Sequence, residues 1–215
     1  LDGVPVHHVP HGIDLERYKP LDKNACRQAL DIPKDATVVM FSSADDLSKS
    51  AWKGGPLLLD ILKGLDKQTE TPIHAIVLGK GNIDALGRLK NLVVHHMGFI
   101  HGENLVPALY SAADLLIYPT KADNLSLVLI EAIACGLPVV TFDIGGNSDI
   151  IDHSENGFMV PPFDIEAFVQ KTLELLNDAD KRRAFSNASR RAAETRFALK
   201  DMAAGYYRLF REITA

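Results

Sequence analysis

The chain has 215 residues, 47% of them hydrophobic and 24% charged, with a formal net charge of −5 and two cysteines. That balance excludes collagen-like, disordered and disulfide-scaffold classes. A chain of this length buries roughly 70% of the surface its unfolded form exposes, so a sizeable core forms without staples. Size alone allows one large domain or two small ones. Cys26 and Cys135 stand in unrelated contexts, which points to a reducing, cytoplasmic setting. The longest apolar stretch, 125–140, contains Glu131, so no transmembrane helix is expected. No signal peptide is visible. The first residue is Leu1 rather than a methionine, and the chain reads as a piece of a longer one.

Charge is distributed unevenly. Residues 1–180 carry 14 basic and 25 acidic side chains, whereas 181–215 carry 9 and 3, making the body −11 and the tail +6. A solvated helical face is the plainer reading of that tail. Aromatic stacking groups and an RNA-binding motif are lacking, so nucleic acid is not an expected partner. Lys181, Arg182, Arg183, Arg190, Arg191 and Arg196 are able to contribute to a peripheral contact with an anionic membrane.

In chain order, residues 4–10 are a short apolar segment, followed by a turn at His11-Gly12-Ile13-Asp14. Pro20 closes the approach to a helix around 25–30. Strands are expected at 37–41, 73–78, 92–97, 115–118, 138–142 and 157–160, all rich in Val, Ile and Leu. Between them lie helices near 55–65, 104–113, 126–135 and 164–177. Leu58, Ile61, Leu62 and Leu65 recur at helical spacing, as do Leu105, Ala108, Leu109 and Ala112. Near-continuous apolar strands separated by helices imply a mostly parallel sheet covered on both faces. Right-handed crossovers then give a doubly wound, Rossmann-like α/β domain. After Pro161-Pro162 the chain reads as helical to its end, with the last two helices at 179–195 and 197–213.

Ligands of such sheets bind beyond the carboxyl ends of the strands. Glu131 is the sharpest residue there, because it is the only charged side chain between Asn124 and Phe142. Its helix is apolar nearly all round, and an ionised carboxylate buried in such a helix costs several kcal/mol unless it is paired or accepts hydrogen bonds. It reads either as a helix-end glutamate bonded to neighbouring backbone or as an acceptor for two adjacent hydroxyls, such as a ribose diol. Asp123, Asn124 and Ser126 precede the same helix. One of them caps its N-terminus, and backbone N–H groups there suit an anion or polar ligand. Lys53 stands before Gly54-Gly55, where glycine permits close backbone approach and the ammonium suits phosphate; Lys49 is a second cation in the same loop. The eight histidines show no zinc spacing, so no metal is expected. No Gly-x-Ser-x-Gly or Walker A loop occurs, which disfavours a serine hydrolase or a P-loop NTPase.

In this order and spacing, several segments resemble a known family. Val9-Pro10-His11-Gly12-Ile13-Asp14 with Tyr18 and Pro20, Lys53-Gly54, Met97-Gly98-Phe99, 109–114 with Tyr118-Pro119, 123–140, and Gly145-Gly146 followed by Asp149 are together similar to the C-terminal half of a GT-B glycosyltransferase of family 4. The resemblance implies half of a GT-B fold with a C-terminal helical tail. It also implies a nucleotide-sugar-binding domain over 1–195 and a final helix, 196–215, that returns to an N-terminal domain lying outside this chain. Met202, Tyr206, Leu209, Phe210 and Ile213 on that helix either await such a partner or pack on the domain's own helices.

The implied activity is retaining, metal-independent transfer of a hexosyl group from a UDP-sugar or GDP-sugar, with the acceptor held mainly by the N-terminal domain. The fragment alone is then expected to be inactive. By carry-over, Glu131 binds the ribose hydroxyls and Asp123 the sugar hydroxyls. Backbone of Asn124, Leu125, Ser126 and the following Leu127 faces sugar and phosphate. Lys53, with Lys49 and Gly54 in its loop, neutralises the diphosphate, and Phe99 and Ile100 hold the base through main-chain atoms. Asp123 stands where the family usually has Glu, and Trp52 precedes Lys53 where no paired arginine is found. A GT-B-like nucleotide-sugar 2-epimerase and a non-catalytic nucleotide-sugar-binding module are the alternative readings.

Overall fold

The computed structural model describes residues 6–42, 54–79, 81–100 and 105–214. Six strands form one sheet: β1 (Thr37–Ser42), β2 (Ile73–Leu78), β3 (Leu92–Gly98), β4 (Leu115–Tyr118), β5 (Val139–Phe142) and β6 (Gly157–Val160). Every pairing is parallel, in the order β3-β2-β1-β4-β5-β6. The chain's direction of travel across the sheet therefore reverses between β1 and β4, and a crevice opens there beyond the strand ends.

The helices among the described residues are α1 (Lys23–Ala29), α2 (Gly55–Gln68), α3 (Val106–Ala112), α4 (Leu127–Ala134), α5 (Ile165–Asn177), α6 (Ala179–Arg196) and α7 (Leu199–Thr214). Alternation along each strand divides the core into two layers. Val38, Met40, Ile76 and Leu116 pack with residues of α3 and α4, while Val39, Phe41, Val77 and Ile117 pack with α2 and α5. All four residues of β4 and of β5 are buried, which is why these strands read as unbroken apolar runs. The Leu58, Ile61, Leu62 and Leu65 stripe of α2 is buried as well. Each such side chain contributes about 1.5–3 kcal/mol relative to exposure.

Helix ends explain where the boundaries shift from expectation. The Asp22 carboxylate accepts the Ala25 N–H at 2.7 Å, so α1 begins at Lys23 rather than near 25. Pro107 sits in the first turn of α3, the one helical position where its missing N–H is harmless. Gly136, at φ +70°, ends α4 in the left-handed conformation. Its N–H donates to Ile133 O, and that of Leu137 donates to Ala132 O.

The basic tail is more engaged than a solvated face. Arg190 donates to the carbonyls of Ala134 and Tyr18 at 2.8 Å and to Leu15 O at 3.3 Å. It thereby caps the C-terminus of α4, where a cation opposes the negative end of the helix dipole. Arg182 caps α5 through Leu175 O and Leu176 O. Arg196 pairs with Asp152 at 2.7 Å, and Lys181 pairs with Glu174. Of the six cations considered for a membrane, these four therefore hold helix ends or ion pairs; Arg183 pairs with Asp180 beside it, and Arg191 is exposed.

The N-terminal segment and the tail are joined. Ile13 N–H donates to Phe197 O at 2.8 Å and Leu199 N–H to Ile13 O at 3.0 Å. Phe197 and Ala198 lie in the core, whereas α7 beyond them contributes no buried residue. Met202 is partly buried and its sulfur accepts the Gly12 N–H; Leu209 is partly buried too, but Tyr206, Phe210 and Ile213 are exposed, Ile213 by 71%. No helix of the described residues is long and apolar enough to cross a membrane.

Candidate functional site

The crevice between β1 and β4 gathers most of the polar residues singled out in the sequence. Ser126 is the N-cap of α4, its hydroxyl accepting the Leu129 N–H at 3.4 Å. Its first-turn N–H groups therefore point out of the helix, toward the crevice end where the dipole favours negative charge. Asp123 and Asn124 sit in the connection just before, with Asn124 exposed and Leu125 half-buried. Leu127, at the first position of the helix, is exposed by 51%.

A second turn closes on this connection. Residues Gly145–Asp149 form a 3-10 turn whose Gly146 N–H donates to Asp123 O at 3.0 Å. A Cβ on Gly146 would lie 1.5 Å from Asn124 O, so only glycine lets the two loops touch. On the other side, Gly54 opens α2 at φ +71°, and a Cβ there would lie 1.8 Å from Pro119 O. Two glycines thus hold the 119–126 connection from both flanks. The preceding part of the Gly54 loop, with Lys49, Trp52 and Lys53, lies outside the described residues.

Glu131 sits one turn into α4, half-buried. Tyr110 of α3, itself fully buried, donates its hydroxyl to Glu131 Oε2 at 2.9 Å, and the Tyr18 hydroxyl also bonds the carboxylate. Burial pushes the Glu131 carboxyl above the ordinary glutamate value, and these two hydroxyls, with the Arg17 charge, only partly oppose it. Burial and the Glu131 charge raise Tyr18 to about 12 and Tyr110 well above its ordinary value, so both phenols remain donors at neutral pH. The partners of Glu131 are thus tyrosine hydroxyls from two other elements rather than backbone at its own helix end.

Glu131 faces a cavity of about 370 Å³ shared with Tyr18, Ser42, Phe99, Ile100 and Val106. Its walls are mostly apolar, with one carboxylate, which is the pattern of a small-molecule pocket. Phe99 is 59% exposed at its mouth. Gly54, Phe99, Ile100, 123–127 and Glu131 are therefore assembled around the strand ends. Sequence reasoning gave no role to the tyrosines that hold the acids: Tyr18 and Tyr110 at Glu131, and Tyr118, which donates to Asp123 Oδ2 at 2.6 Å. A tyrosine ending an apolar strand a few residues before a carboxylate is the signal that marks Tyr118.

A family profile described as "Glycosyl transferases group 1" matches residues 22–192, which contain this whole assembly except Tyr18. The chain belongs to that glycosyltransferase family. A D-inositol 3-phosphate glycosyltransferase of Xylanimonas cellulosilytica is 30% identical over 97% of this chain and 52% of its own length. The sucrose-phosphate synthase of Thermosynechococcus elongatus superposes with a TM-score of 0.81 at 23% identity, over 96% of this chain and 52% of that one. Anabaena Alr3699/HepE, solved in complex with UDP-glucose, gives a TM-score of 0.75 at 24% identity, over 93% and 56%. The chain spans about half the length of these relatives, and its sheet is half of a GT-B fold.

Proposed function

We propose that this glycosyltransferase chain is the C-terminal, donor-binding half of a retaining hexosyltransferase that uses a nucleotide-diphosphate sugar. The carrying observation is Glu131: a desolvated carboxylate, held by two tyrosine hydroxyls, facing an apolar cavity beside the N-terminus of α4. A ribose presents two adjacent hydroxyls, and an ionised carboxylate accepts both. The base then lies against Phe99 and Ile100. The diphosphate meets the first turn of α4, and the family resemblance assigns its charge neutralisation to Lys53, with Lys49, and to no metal. Asp123, with the backbone of 124–126, takes the sugar. The UDP-glucose complex of the structural relative and the glycosyltransferase relatives support the same reading.

In this reading the acceptor is held mainly by an N-terminal domain, and the exposed Tyr206, Phe210 and Ile213 of α7 face that domain. This chain alone then binds nucleotide but transfers sugar poorly. Isothermal calorimetry with UDP, GDP and ADP tests the reading: one of them is expected to bind with a dissociation constant below 1 mM, roughly −4 kcal/mol or tighter. Absence of binding by all three at millimolar concentration would contradict it.

A further inference from the structure

We propose that Tyr118 is a positioning residue that fixes the Asp123 carboxylate toward the sugar of the donor, and so sets the part of the affinity that the sugar contributes. This inference rests on the donor-site reading above.

Tyr118 is the last residue of β4, an interior strand, at the carboxyl end of the sheet where the strand order reverses. It is only 6% exposed, yet its hydroxyl reaches the connection into α4, donating to Asp123 Oδ2 at 2.6 Å and accepting from Ser126 Oγ at 2.9 Å. Thr120, fully buried, adds a third hydroxyl bond to the same phenol. A phenol has one proton. Ser126 supplies a proton to its oxygen, and an ionised carboxylate can only accept, so the phenol's own proton is directed at Asp123. Burial and the neighbouring Asp123 raise the phenol well above its ordinary value, so the donor is permanent across physiological pH.

Aspartate has a short side chain on a connecting segment, and its backbone carbonyl is separately held by Gly146 N–H. Asp123 is therefore anchored at two points before any ligand arrives, its carboxylate by Tyr118 and its backbone by Gly146. Such preorganisation saves the ordering entropy otherwise lost on binding. Ser126 has a double part, capping α4 and orienting Tyr118, which couples the helix end under the phosphates to the acid beside the sugar.

The test compares binding of a nucleoside diphosphate with that of its glucose and mannose conjugates, in the base that binds, by calorimetry on this chain. In the wild type one conjugate is expected to bind more tightly than the bare diphosphate. Tyr118→Phe is expected to weaken that conjugate about tenfold while leaving the diphosphate within twofold. Asp123→Asn should give the same split, and adding Tyr118→Phe to it should cost less than a further twofold, since both changes remove one interaction. Equal losses for both ligands with a lowered Tm would reduce Tyr118 to a prop of the loop and overturn the proposal. So would independent, multiplying losses in the double variant. A wild type that binds diphosphate with no gain from either sugar would overturn it too, while leaving the nucleotide site standing. Binding of neither ligand would remove the donor-site reading itself and the inference with it.

Discussion

Glu131→Gln is expected to lower nucleotide affinity by roughly ten- to 150-fold while leaving the domain folded and somewhat more stable at neutral pH. The amide oxygen still accepts the Tyr110 hydroxyl, so the packing of α3 against α4 survives. The amide nitrogen accepts nothing, and one charge-assisted bond to a ribose hydroxyl is lost while the other weakens. Bonds to charged groups contribute about 1.5–3 kcal/mol each, which sets the range.

The pH dependence follows from the direction of the Glu131 shift. Burial holds its carboxyl above the ordinary value of 4.5, so the folded state favours the protonated form. The corresponding stabilisation is fully present below the unfolded-state value and disappears as pH rises through the raised one. The wild-type Tm should therefore fall relative to that of Glu131→Gln as pH climbs from about 4.5, and other titrations cancel in the difference. Nucleotide affinity should move the opposite way, because the ionised carboxylate is the better acceptor. Thermal denaturation of both proteins between about pH 4 and pH 8 reads the first effect, and calorimetry the second. A Tm gap that ignores pH, with unchanged affinity, would make Glu131 a structural residue only.

Gly54→Ala is the second large effect. The backbone there is left-handed, which costs an alanine about 1 kcal/mol. Its Cβ would also lie 1.8 Å from Pro119 O and 2.8 Å from Pro119 C, both backbone atoms that no rotamer change moves aside. Overpacking adds about 1–3 kcal/mol, for a total near 2–4 kcal/mol and a Tm lowered by about 4–16 °C. Relief requires β4 and α2 to separate at the crevice, so nucleotide binding should fall in step. Gly87→Ala is the matched control: nothing lies within 4 Å of the added methyl, and stability should barely change. A Gly54 variant as stable as wild type would show that the close contact at Pro119 is not needed.

Much of this architecture was legible because parallel strands buried on both faces carry an unmistakable pattern. The runs at 73–78, 115–118 and 157–160 form strands with those same bounds. Glu131 stood out for a related reason, as one charge in an apolar helix. Its partners did not: Tyr110 lies in an apolar run and reads as core, and Tyr18 stands between Arg17 and Lys19, so neither shows in sequence where its hydroxyl ends. Arg190 illustrates a different limit. In sequence it is one cation in a basic tail, and only the packing of α6 against α4 and the segment before α1 brings the carbonyls of Leu15, Tyr18 and Ala134 within its reach. The 3-10 turn at Gly145–Asp149 lacks hydrophobic periodicity altogether, and its contact with Asp123 and Asn124 is a product of tertiary structure.

A crystal structure of this chain with the tightest-binding nucleotide sugar tests the central claim most directly. The ribose hydroxyls should lie within hydrogen-bond distance of Glu131, the diphosphate at the first turn of α4, the base against Phe99 and Ile100, and the sugar beside Asp123. A nucleotide bound elsewhere, with the Glu131 carboxylate still engaged only by Tyr110 and Tyr18, would contradict it.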